Sequence, residues 1–202
     1  MKIAILVEGE TELGFKVALR KFLEPRLSGK MPNLDFDPCH GRIPKAEKLR
    51  RVVEDHLRGR KPADAVIALT DVYTGTDDFT DAADAKTKMR AWFGPNAKFH
   101  PHAAQHDFEA WLLPYWDTTI KKLARHNKAM PSGVPETVNH QNPPAYRIAE
   151  IFRLGKIRDF NKRRDAARIL ADNDLLVSAN ACPELKAFLN TILALCGGEV
   201  IV

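Results

Sequence analysis

Acidic side chains gather at three places along the 202-residue chain: Glu8-Gly9-Glu10-Thr11-Glu12, Thr70-Asp71 followed by Asp77-Asp78, and Gln105-His106-Asp107-Phe108-Glu109. Carboxylates are hard oxygen donors of the kind Mg²⁺ and Mn²⁺ prefer, and His106 adds a group that titrates near neutrality. Basic side chains lie to either side. Arg42, Lys45, Lys48, Arg50, Arg51, Arg58, Arg60 and Lys61 follow the first acidic group, while Lys156, Arg158, Lys162, Arg163, Arg164 and Arg168 come late. The formal net charge of +5 resolves into +4 over residues 1–65, −4 over 66–120 and +5 over 121–202. Acids for a metal between bases for phosphate suit a metal-assisted enzyme acting on a polyanion. The plainer reading makes the acids helix caps and the bases solvated helix faces.

Positioning these groups falls to the elements around them. Ile3 to Val7 is continuous and apolar and reads as a buried strand. Residues 11–27 carry Leu13, Phe15, Val17, Leu19, Phe22 and Leu23, mostly on one face of a helix ending near Ser28-Gly29. Residues 33–37 alternate as a more exposed strand, and 43–57 form a basic amphipathic helix. A buried strand over 65–69, a helix over 81–92 and a weaker strand over 98–105 follow. Such alternation predicts right-handed crossovers and a mainly parallel sheet with helices on both faces, an α/β fold. Ligands of such sheets gather outside the carboxyl ends of the strands, where all three acidic groups fall. Beyond Asp107 the pattern is helical, over 107–113, 117–125, 145–152, 163–170 and 183–195, with loops at 127–135 and 139–144. The expected organisation is an α/β core over 1–115 and a helical extension over 116–202 packed on the same core.

Composition narrows the field. With 45% hydrophobic and 28% charged residues, disorder and low-complexity character are excluded. The apolar run at Ile3 to Val7 is too short for a membrane span or a signal-peptide core, so a cytoplasmic protein is expected. Cys39, Cys182 and Cys196 are odd in number and lack C-x-x-C spacing, which suggests neither a disulfide framework nor a zinc ribbon. Gly9 to Lys16 lacks the Gly-Lys-Ser/Thr ending of a phosphate-binding loop. His100, His102, His106 and Cys39 match no recurring zinc spacing. Trp92, Trp111 and Trp116 have the chemistry to stack on bases, but core packing is expected for at least two of them.

The opening segment, Val7-Glu8-Gly9-Glu10-Thr11-Glu12, resembles the glutamate motif of Toprim domains, found in topoisomerases, primases and the overcoming-lysogenization-defect (OLD) nucleases. More of the chain, to about Leu193, is similar to an uncharacterised bacterial Toprim-like family, domain of unknown function 4276. Besides the opening motif, the likeness is carried by Asp71-Val72-Tyr73 with Asp78-Phe79, and by Gln105-His106-Asp107-Phe108-Glu109-Ala110. Pro135-Glu136-Thr137-Val138-Asn139 with Pro143-Pro144-Ala145-Tyr146-Arg147-Ile148 adds a further segment. The resemblance implies a Toprim-like sheet with Glu8 as metal ligand or acid/base, Asp71 as a further ligand and Glu12 completing the site. Tyr73 departs from the pattern, standing where an Asp-x-Asp pair has its second Asp. Asp77, Asp78, Asp107 and Glu109 are the candidates for the missing charge.

On that footing the expected function is Mg²⁺- or Mn²⁺-dependent cleavage of phosphodiesters in nucleic acid, by one ion or two. Glu8, Asp71 and His106 would be catalytic, and Glu8, Glu12, Asp71, Asp78 and Glu109 would hold metal. A structural role for His106 competes with the catalytic one. Lys45, Lys48, Arg51, Arg163 and Arg164 are expected to meet nucleic acid, DNA before RNA. The resemblance implies a defence or mobile-element setting and an ATPase partner protein. Self-association as a homodimer is a further expectation, and a membrane is not among the partners. The rival expectation is a non-catalytic Toprim-like module that binds nucleic acid or a partner protein. A phosphatase for small esters would not need the basic clusters.

Overall fold

The computed structural model describes residues 1–9, 11–73, 77–138 and 141–202, with Leu13 described by its backbone alone. What was expected of Glu10, of the Leu13 side chain and of Asn139 lies outside the described residues. Strands β1 (Lys2–Val7), β2 (Asn33–Pro38), β3 (Ala65–Val72) and β4 (Phe99–Gln105) form a parallel sheet in the order β2-β1-β3-β4. Helices α1 (Thr11–Leu23), α2 (Ala46–Arg58) and α3 (Ala82–Phe93) make the crossovers. Val7 lies beside Pro38 on one side and Leu69 on the other. Strand β3 continues beyond it, pairing Thr70, Asp71 and Val72 with Ala103, Ala104 and Gln105. The chain leaves β1 towards β2 and then crosses back to β3, so the strand order reverses between β1 and β3. Outside the carboxyl ends at such a reversal, a crevice opens.

Alternation along the strands divides the core. Ile3, Ile5, Val7, Ile67 and Leu69 pack with Phe15, Leu19 and Phe22 of α1. Ala4, Leu6, Val66 and Ala68 pack instead with Leu49 and Val53 of α2 and with Ala85 and Met89 of α3. Both faces are covered, which is why β1 and β3 read as unbroken apolar runs. The fold is thus α/β, a parallel sheet with helices on both faces and a helical C-terminal portion. That portion begins with a 3-10 helix, Phe108–Tyr115, and a π turn, Trp116–Ile120. It continues through α4 (Lys121–Ala124), α5 (Pro144–Gly155), α6 (Lys162–Ala171), α7 (Leu175–Ala181) and α8 (Pro183–Leu195). Trp111, Trp116, Phe152, Ile169 and Leu189 lie in the same apolar cluster as Ile3 and Ile67. Trp111 and Trp116 are therefore core residues, and Trp92 packs against Phe79 beside the second cluster.

Several boundaries differ from the expected ones for local reasons. Helix α1 stops at Leu23, and a 3-10 turn follows over Glu24–Arg26, because Pro25 brings no N–H to continue an α-helix. Helix α2 starts at Ala46 rather than at 43, behind Pro44. The helix expected over 117–125 is a π turn followed by four α residues, next to a 3-10 segment that contains Pro114. Helix α7 was not anticipated. Among the described residues no helix is long and apolar enough to cross a membrane.

One glycine sets the position of α6. A Cβ on Gly14 of α1 would stand 3.2 Å from Ala167 Cβ and 3.3 Å from Arg163 O, so its absence lets α6 lie close against α1. The first turn of α6 thereby reaches the carboxyl edge of the sheet.

Candidate functional site

Glu8 follows β1 directly and is buried. Its Oε1 accepts from Thr70 Oγ1 at 2.5 Å and from the Asp71 amide at 3.1 Å. The Tyr73 hydroxyl and the Ile43 amide lie near enough to favour its ionised form, while Oε2 is buried without a hydrogen-bond partner. Glu12 lies in the first turn of α1, Asp71 near the end of β3, and Glu109 in the first turn of the 3-10 helix. These four acids line one cavity of about 330 Å³. Tyr73 shares the lining, as do Asn161, Lys162 and Arg163 from the start of α6. Asp107 lies just before the 3-10 helix; its Oδ2 accepts from the Ala145 amide at 3.1 Å and its Oδ1 has no partner.

Crowded, buried acids resist ionisation. Burial lifts the Glu8 carboxyl above its ordinary range, against the pull of its hydrogen bonds. Burial, with the charges of Glu109 and Glu8, pushes Glu12 up to about 7. Asp71 is held well above the usual carboxylate range by burial and then by Glu8, Glu12, Asp107 and Glu109. Asp107 is pushed up to about 8 by burial and by Glu109. Burial and the Asp71 charge raise the Tyr73 hydroxyl. The opposite charge comes from Lys162, whose Nζ lies 3.2 Å from Glu109 Oε1. Burial disfavours its ammonium, yet Glu109, Asp107 and Asp71 outweigh that and raise its pKa.

Buried oxygens of Glu8, Asp107 and Glu109 lack hydrogen-bond partners, and carboxylate oxygens are the donors that a hard divalent cation takes. Among the described residues, no three His, Cys, Asp or Glu side chains stand close enough together to hold an ion as they are.

The other anticipated residues are scattered. Asp78 does not line the cavity; it forms ion pairs with Arg42 and Lys45, so Lys45 is engaged there. His106 is buried on a left-handed backbone with φ of 73°, and it too is absent from the lining. Lys48 is exposed on α2, and Arg51 Nε lies 3.4 Å from Glu47 Oε1. Arg163 borders the cavity, whereas Arg164 Nε lies 3.2 Å from Asp165 Oδ1, a carboxylate shared with Arg158. Two features escaped sequence reasoning. Tyr73 was visible as a departure from the motif but not as a neighbour of Glu8. Lys162 was visible within a basic cluster but not as the counter-ion of Glu109.

Fold and site together describe an α/β protein with a carboxylate-lined cavity at the strand-order reversal of a parallel sheet. The chain belongs to the family described as "Domain of unknown function (DUF4276)", matched over residues 7–193. The structure is similar to the C-terminal region of the Burkholderia pseudomallei OLD protein, with a TM-score of 0.52 and 11% identity. That likeness covers 96% of this chain and 98% of the other, and at such identity it speaks for the fold alone. No curated protein matches the chain.

Proposed function

We propose that the protein is a divalent-metal-dependent phosphodiester hydrolase acting on nucleic acid, with a Toprim-like centre where β1 and β3 part. The carrying observation is convergence: acids from four separate elements line one cavity whose rim holds Lys162 and Arg163. The fold likeness to the OLD C-terminal region supports the reading, as does the resemblance of the opening motif to Toprim nucleases. Glu8 and Asp71 would hold the ion, with Glu12 and Glu109 assisting. A bound Mg²⁺ or Mn²⁺ would polarise the phosphate and lower the pKa of a bound water. Thr70 and the Asp71 amide fix Glu8 by Oε1 and leave Oε2 without a competing donor. Arg163 would meet a substrate phosphate at the rim. DNA is the preferred substrate in this reading, and an ATPase protein is the proposed partner.

One observation favours a second reading, a non-catalytic binding module: Tyr73 brings a hydroxyl to Glu8 where the Toprim pattern has another acid. Metal affinity separates the two. Mg²⁺- or Mn²⁺-dependent nicking of plasmid DNA is expected to fall by about a hundredfold or more in Glu8→Gln and in Asp71→Asn. Nicking that survives both substitutions overturns the assignment. Calorimetry that finds no Mg²⁺ or Mn²⁺ affinity favours the binding module.

A further inference from the structure

Glu109 is 1% exposed, and no hydrogen-bond donor is aligned on either of its oxygens. A carboxylate in that state needs a cation or a proton. The cation in place is Lys162 Nζ, at 3.2 Å. The Lys162 side chain is 55% exposed overall, and it reaches inward to the acids from the first residue of α6. The backbone beneath it is anchored. Asn161 caps α6 by accepting from the Arg164 amide at 2.8 Å, and the fully buried Asp165 accepts from the Asn161 amide at 2.8 Å. Asp165 also binds both terminal nitrogens of Arg158 and the Nε of Arg164, so those two guanidiniums are committed to holding the helix start. Lys162 differs from them in having a proposed metal ligand as its partner, on a flexible stem that can turn outward.

We infer that Lys162 couples phosphate binding to metal binding: its ammonium neutralises Glu109 in the metal-free protein, and an entering phosphodiester draws it away and frees Glu109 for the divalent ion. The inference rests on the metal-dependent reading above. Ammonium and metal ion compete for one carboxylate, so each weakens the other. Phosphate competes for the ammonium, so phosphate and metal strengthen each other, reciprocally and by the same factor. The cavity holds both partners within reach, since Lys162, Arg163 and Glu109 share its lining. Arg163 lines the same cavity as a second positive group.

The test is calorimetric titration of Mn²⁺ into the whole chain, alone and with a short phosphorothioate DNA, after subtraction of a DNA-only blank. In the wild type, the DNA is expected to tighten Mn²⁺ binding. In Lys162→Met, Mn²⁺ alone is expected to bind about tenfold tighter, the effect of removing one nearby unit charge, and the DNA adds nothing further. Lys162→Arg should keep the wild-type coupling, and Lys162→Gln serves in place of the methionine variant if that one folds poorly. Equal Mn²⁺ affinity in wild type and Lys162→Met, or DNA enhancement that persists without the lysine, overturns the coupling alone. Absence of Mn²⁺ binding to every variant overturns the metal reading and the coupling with it.

Discussion

Thr70 shows how much of this site depends on single atoms. Its hydroxyl donates to Glu8 Oε1 at 2.5 Å inside a buried pocket, and a bond to a carboxylate contributes about 1.5–3 kcal/mol when the acid is ionised. Thr70→Val keeps the shape and removes the donor. The expected loss is about 1–3 kcal/mol where Glu8 is ionised and smaller as acid protonates it, because a neutral carboxyl needs the donor less. Urea denaturation across the pH range measures it, and an equal loss at every pH would show that Glu8 does not change its protonation. Glu8 and Asp71 were the most legible acids in the sequence, because each closely follows an apolar run and apolar runs can be counted. The acids' partners were not legible. The hydrogen bond of Glu8 with Thr70, the approach of Tyr73 to Glu8 and the ion pair of Glu109 with Lys162 join residues far apart in sequence. Asp165 engages Arg158 and Arg164, and Asp78 engages Arg42 and Lys45, so much of the basic clusters is spent internally.

Elements were legible where burial leaves a period. β1 and β3, covered on both faces, show as continuous runs, and α2 shows a clear apolar stripe through Leu49 and Val53. From Phe108 to Ile120 nearly every residue is buried, so no face stands out, and Pro114 interrupts any regular helix. The stretch was readable as apolar but not as a 3-10 helix and π turn. Close approach between helices was equally invisible, since it is recorded only as a glycine. Gly14→Val would drive a side chain into Ala167 and the Arg163 carbonyl and push α6 from α1. Gly155→Ala is harsher, because its Cβ would fall 1.8 Å from the Ala124 carbonyl oxygen at the end of α4. Each substitution is expected to cost about 1–3 kcal/mol or more in thermal denaturation. Gly14→Val should also weaken DNA binding, as Lys162 and Arg163 move with α6, while Gly155→Ala should leave binding by the folded fraction intact. Unchanged melting in both would mean that the helices part without cost.

Across the whole molecule, buried acids and a buried histidine tilt stability in opposite directions as pH changes. Glu12 and Asp107 are raised from 4.5 and 3.8 to about 7 and about 8, and Asp71 is raised well above its ordinary range. An acid raised on folding binds its proton more tightly in the native state. Its stabilisation is complete below about pH 4 and is lost as pH climbs through 7 and 8. His102 acts the other way. It sits on β4 with Nε2 3.0 Å from Thr191 Oγ1, and burial followed by the Lys86 charge pushes it from 6.5 down to about 3. Its contribution is complete above 6.5 and is lost as pH falls towards 3, because the unfolded chain takes up the proton first. The two slopes oppose each other on the acid side, and only that of the carboxylates remains above about pH 6.5. The metal-free protein is therefore expected to lose Tm steadily from about pH 6.5 to about pH 9. His102→Gln removes the opposing slope, so its Tm should already fall from about pH 4 upward, with the alkaline fall left in place. A divalent ion competes with protons for the same oxygens, so Mn²⁺ should raise Tm more at about pH 8.5 than at about pH 6. Scanning calorimetry in chelator and then in Mn²⁺ reads both effects. If Tm stays flat up to about pH 9 and the Mn²⁺ shift is the same at both pH values, the acids ionise freely within the fold and hold no ion against their burial.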